Sequence, residues 1–179
     1  MKLDKHLGNI TPYGDSLLID PKKLWRWYHD SLSGFFAPDV VKHRHEHDFT
    51  IKEKGVEKTI RVPIFSMGDM GENMAIDEKQ IGEEMHTILS NRQTGKIALL
   101  AQSVSTKELI NLLPKFNLKG FDVKSIILNY FIKGETNAKA EGINSKIQRF
   151  IMINQGTRDR EFFYFRLAKL FSSSPQNRI

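Results

Sequence analysis

From Ile143 onward the apolar positions recur at helical spacing. Ile143, Ile147 and Phe150 follow one another at intervals of four and three, which sets them on one stripe of an α-helix. At 100° per residue Glu141 points roughly 160° away from Ile143, and Asn137, Asn144, Ser145 and Gln148 share its polar side. Thr136 is a good N-cap. Ala138, Lys139, Ala140 and Glu141 are strong helix formers, and Gln155-Gly156-Thr157 ends the helix. Beyond the break, Phe162, Phe163, Phe165, Leu167, Leu170 and Phe171 predict a second helix buried on most sides.

Upstream the period shortens to two. DFTIKEKG and VEKTIRVPIF alternate apolar with charged residues and predict a hairpin from Phe49 to Phe65, turning at Lys54-Gly55. Three further strands are expected at Asn73–Gln80, which carries Asp77, at Met85–Ser90 and at Lys96–Gln102. Ser105 then caps a helix through Leu109, Leu112 and Leu113 that stops near Pro114, and Val123–Ile126 begins a fourth strand. Nearer the N-terminus, Met1–Asp20 reads as loop, broken by Gly8, Pro12 and Gly14. Asp20-Pro21 starts a helix with Leu24, Trp27, Tyr28, Ser31 and Leu32 on one stripe and Lys22, Lys23 and Arg26 on a basic face.

Mixing strands with helices makes the chain α/β. At 179 residues it is one domain with a small appendage: an N-terminal helical and hairpin region over 1–66, a core over 67–171 and a disordered tail over 172–179. The net charge of +6 favours an anionic partner. The absence of cysteine excludes disulfides and thiolate metal sites. No long apolar run opens the chain, so neither signal peptide nor membrane span is expected and a cytoplasmic protein is the default. His43, His45 and His47 alternate. On a strand they would share a face and could hold zinc; as loop residues they are merely solvated, and their Arg and Lys neighbours repel a cation.

The words ILNYF…TNAKAEGINSKIQRF…GTRDREFFYFRLAKLF change the weight of Glu141, otherwise an ordinary solvated helical acid. Over Ile127–Phe171 they resemble, without a gap, the C-terminal end of bacterial insertion-sequence transposases of the ISL-three type, Bacteroidetes members especially. In that family a TNA-x-AE-x-x-N-x-KI helix carries the last acid of an Asp-Asp-Glu triad, and Glu141 falls on it. MGENMAIDE resembles the family's MGE-x-x-(S/A)-IDE, which places the first acid at Asp77. The resemblance implies a ribonuclease-H-like core, a meander of three antiparallel strands followed by a crossover helix and a parallel strand. It also implies metal-dependent cleavage and transfer of double-stranded DNA at insertion-sequence ends, with Mg²⁺ or Mn²⁺ held by Asp77 and Glu141. Such chemistry uses two ions roughly 3.5–4 Å apart, held by carboxylates from different elements. The helix at Asp20 is similar to a family segment that belongs to a DNA-binding or oligomerising region. An ordinary amphipathic helix packed on the core fits it equally.

The bridging second acid of the triad is missing. In the family the fourth strand reads V-K-x-(V/I)-T-x-D-M; here Val123-Lys124-Ser125-Ile126 runs straight into Ile127-Leu128-Asn129. A long helical insertion and more sheet would separate these words in a family member. The chain therefore resembles an internally deleted transposase, spliced near Ser125–Ile127 and expected to be inactive. A decayed genomic copy, a misassembled reading frame and a deliberately shortened chain all give this pattern. Asp122 precedes the strand, so it does not take the bridging role. A rival reading is a non-catalytic DNA-binding or regulatory remnant using Lys22, Lys23, Arg26, Lys139, Lys146, Arg149 and Arg158, as a monomer or homo-oligomer. A third is a decayed product without function.

Overall fold

The computed structural model describes residues 11–53, 55–102, 108 and 138–173. Along the chain come helices α1 (Thr11–Leu17), α2 (Pro21–Trp27) and α3 (Pro38–His43). Six strands follow, β1 (Phe49–Glu53), β2 (Val56–Ile60), β3 (Ile64–Phe65), β4 (Met74–Ile81), β5 (Glu84–Asn91) and β6 (Lys96–Gln102). Helices α4 (Ala138–Ile153) and α5 (Arg160–Phe171) complete the described chain.

The main sheet has the order β3-β6-β5-β4, with every described pair antiparallel. The meander expected from the period-two pattern is present, within a residue or so at each end. The two-residue turn Gly82-Glu83 joins β4 to β5, and Gly82 adopts φ +67°, a conformation that costs other L-residues energy. Strand β6 is central, and Ile97 to Ala101 are wholly buried. Covered on both faces, it reads as a continuous apolar run rather than an alternating one. On one face Leu89, Leu99 and Met74 pack with Ile60 and Val62, while Phe49 and Ile51 of the β1–β2 hairpin close over them. On the other, Ile81, Ile88 and Leu100 meet Ile147, Phe150 and Ile151 of α4 and Phe163, Leu167 and Phe171 of α5.

Helix α4 buries Ile143, Ile147 and Phe150 as its spacing requires. Gly156, at φ +89°, turns the chain into α5, where Asp159 Oδ1 accepts the Phe162 amide at 2.9 Å as the N-cap. Helix α5 is apolar almost all round because it has two partners. Its Phe162 and Phe165 face away from the sheet and pack with Leu24, Tyr28, Phe35 and Val40, so the N-terminal helices form a layer docked on α5.

Several sequence expectations need correction. The segment read as loop up to Asp20 contains α1. Pro12 lies in its first turn, where a missing N–H breaks nothing, and Leu18, at φ +54°, ends it. Helix α2 continues into a π-helical turn at Tyr28–Leu32 closed by Ser33 N to Tyr28 O at 2.8 Å. The wider turn carries Ser31 and Leu32 off the stripe and leaves them exposed; Leu24 and Tyr28 are buried, and Trp27, ahead of the turn, is also exposed. The hairpin ends at Ile60. Ile64–Phe65 pairs instead with β6, where Val62 and Ile64 are buried in the core on the two faces of the main sheet. Ser172 and Ser173, read as the start of a loose tail, are fastened. The Ser172 hydroxyl and the Ser173 amide donate to buried Asp69 Oδ2 at 3.2 and 2.6 Å. The cap at Thr136, the helix from Ser105, Asp122, the strand at Val123–Ile126 and the splice near Ser125–Ile127 lie outside the described residues.

Candidate functional site

Strand β4 is the sheet edge farthest from β3. Ile81 points into the core beneath the helices, so the period of two turns Lys79 and Asp77 to the same face. Helix α4 lies over that face. Glu141, Asn144, Ser145, Gln148, Arg149 and Met152 recur at three- and four-residue steps along one side of it and face the strand rather than the core. Between strand and helix lies an open cleft of about 740 Å³ lined by Asp77 and Lys79 on one side and by this stripe on the other. The two acids, 64 positions apart in the chain, thus share one cleft.

Lys79 Nζ lies 2.7 Å from Asp77 Oδ2, and Asp77 Oδ1 accepts the Glu78 amide at 2.9 Å. Glu141 is exposed. Asn144 Oδ1 is buried without a hydrogen-bond partner, although Asn144 lines the cleft. Hard divalent cations take carboxylate and amide oxygens and keep some of their water. Asp77, Glu141 and Asn144 bring oxygens of that kind to one cleft, with Lys79 seated on Asp77. Among the described residues no group of three or more His, Cys, Asp or Glu gathers as a metal ion would require.

The predicted cations divide between two places. Arg149 lines the carboxylate cleft, and Arg158 stands exposed in the turn after α4. Lys146 is exposed on α4 outside the cleft lining, and the side chain of Lys139 lies outside the described residues. Lys22, Lys23 and Arg26 are exposed on α2, with Lys23 Nζ 4.9 Å from the Trp27 ring centre. The alternating histidines do not share a strand face, because Pro38 starts a helix that runs to His43 and a turn follows. His43 Nδ1 bonds the Asp39 carbonyl at 2.8 Å, His45 Nδ1 lies 3.1 Å from Asp48 Oδ2, and His47 packs edge-on to Phe65.

A family model described as a transposase, of the ISL-three DDE type, matches residues 80–167. The match supports a transposase of that family. It contains Glu141 and begins just past Asp77. None of the curated proteins and none of the solved structures compared with this chain matches it. The mixture of antiparallel sheet and packed helices is consistent with a transposase domain, and no described helix is long and apolar enough to cross a membrane.

Several residues around these clefts and in the core escaped sequence reasoning. Lys79 was findable, since i and i+2 on a strand share a face. The stacking of Trp25 on His29 at 4.9 Å is an i, i+4 contact within one helix, whereas the pairing of His29 Nε2 with Asp159 Oδ2 at 3.0 Å had no local signal, because it joins residues 130 positions apart. Nor did the buried contact of His86 Nε2 with the Tyr164 hydroxyl at 2.8 Å. Burial lowers the His86 pKa, so the imidazole stays neutral. Burial, reinforced by Glu84, pushes the Tyr164 phenol up to about 12.

Proposed function

We propose that this chain derives from an insertion-sequence transposase whose ribonuclease-H-like core has lost the segment bearing the bridging acid, and that it binds DNA without cutting it. Asp77 and Glu141 are the remaining metal ligands of a strand-transfer site for Mg²⁺ or Mn²⁺. The shared cleft of Asp77 and Glu141 carries this reading. The Lys79–Asp77 pair supports the inactivity, because it gives Asp77 a counter-ion where the intact site would use metal. With one ion at most, the site cannot stabilise both attacking and leaving oxygens. Losing a few kcal/mol of transition-state stabilisation lowers a rate by two to three decades.

The test is nicking and strand transfer on supercoiled DNA with Mg²⁺ or Mn²⁺, comparing the chain with Asp77→Ala and Glu141→Ala. Equal background from all three is expected. Metal-dependent nicking lost in both variants would show an active site despite the missing acid, and nicking that survives both would remove the cleft from the chemistry. The position of Arg149 in the cleft favours a DNA-binding or regulatory remnant as the present role. Such binding is electrostatic, with affinity falling on a log–log salt plot at about −0.9 per phosphate neutralised.

A further inference from the structure

We infer that the surface running from the carboxylate cleft to Trp25 holds an unpaired DNA strand, with one base stacked on the Trp25 indole. This rests on the DNA-acting reading above and adds the form of DNA that the surface fits. The carboxylate cleft does not end at α4. Gln148 lines both it and a second cleft beside Gly82 and Arg160. The turn from Asn154 to Arg158 lines that second cleft and a third, of about 600 Å³, that opens onto Trp25 and His29. Three adjoining clefts thus lead from Asp77 to α2.

Charge and apolar surface both follow this line. Arg149, Arg158 and Arg160 are spaced along it, and none is paired with a carboxylate among the described residues. Trp25 has its ring backed by His29 yet remains 43% exposed, and Met152 and Ile153 are exposed beside the same clefts. A basic track with exposed aromatic surface suits a single strand, whose phosphates follow the cations while its bases stack on side chains. A duplex would offer the arginines its phosphates, but its bases are already stacked and would leave Trp25 uncovered. From Glu141 to Ile153 the helix rises about 18 Å. A stacked strand advances 3.4 Å per nucleotide, so roughly five nucleotides span this length of α4 before the strand reaches the cleft of Trp25.

Trp25 and Trp27 are the only tryptophans of the chain, which supplies the experiment. In Trp27→Phe the emission of Trp25 is read alone while oligothymidylates of increasing length, or a duplex of matched length, are added at low salt. The single strand is expected to quench Trp25 and to bind more tightly than the duplex. Trp25→Ala should weaken single-strand binding about tenfold, as loss of one base–aromatic stack does, and Arg158→Gln should reduce the salt slope by about one. The Arg158 variant and the quenching itself do not depend on Trp25→Ala folding. Duplex binding without quenching, or single-strand binding indifferent to Trp25 and Arg158, would overturn the strand path and leave DNA binding standing. Failure of both DNA forms to bind at low salt would overturn both readings.

Discussion

The sheet with its two covering helices and the N-terminal helical layer are packed on opposite terms. In the first, β6 is buried on both faces and α4 hides all of Ile147 and Phe150. In the second, Leu18 is 96% exposed, and Leu17, Trp27, Leu32, Phe36 and Val41 also face outward. The layer holds by a few anchors, Leu24, Tyr28, Phe35 and Val40, set against Phe162 and Phe165 of α5. Polar ties reinforce it, Lys169 Nζ donating to the Ser33 carbonyl at 2.8 Å and His29 Nε2 lying 3.0 Å from Asp159 Oδ2. A core closed from all sides should fail as a unit, whereas a layer held along one helix should open without taking the sheet with it.

The sharpest test deletes one aromatic from each region. Phe150→Ala empties the centre of the helix-covered core, beside Phe163 and Phe171, and should cost about 3–5 kcal/mol in a single denaturant transition. Phe35→Ala removes a ring of comparable size from the layer, and its loss, up to about 3 kcal/mol, should be local. Hydrogen exchange is expected to accelerate in α2 while β5 and β6 stay protected. Uniform acceleration throughout would show that the two regions are one cooperative unit.

Titration probes the core side alone. Tyr164 is raised to about 12 in the folded state, whereas the unfolded phenol ionises near 10. Above pH 10 the unfolded chain therefore binds fewer protons, so stability should fall as pH rises, by about 2–3 kcal/mol in all. Tyr164→Phe should abolish that loss in alkaline melts. His86 works at the acid end. Its lowered pKa means that the unfolded chain binds more protons below about pH 6.5, so stability should decline as pH falls, at no more than about 1.4 kcal/mol per unit from this residue. Smallest is the layer's own cap. Asp20 Oδ1 accepts the Lys23 amide at 2.8 Å, and Asp20→Ala should cost about 1 kcal/mol, seen as faster exchange in α2 and an unchanged sheet.

What the sequence disclosed follows the same division. Where a single period governs, as in β4 to β6 and α4, the elements and the inward residues were readable, and so was the polar side that carries Glu141. The meeting of Asp77 with Glu141 came from resemblance, since spacing within one element says nothing about a partner on another. The N-terminal layer was read poorly. A π-turn shifts the phase of α2, which no helical wheel anticipates, and burial there depends on Phe162 and Phe165, far away in the chain. The role of α5 as a wall between two layers is visible only as an apolar pattern lacking a polar side.

Gly82 offers a historical reading of the molecule. Its left-handed backbone, at φ +67°, strains any residue with a side chain, and a Cβ there would displace the Arg160 guanidinium that lies against it. Asp77, five positions earlier and partly solvated, can change with little harm to the fold. The two codons therefore record different selection pressures. Among sister copies in a genome, Gly82 kept while Asp77 varies would mark a folded protein retained for something other than strand transfer. Both kept would mark retained chemistry, and both drifting alike would mark a sequence on which selection has let go.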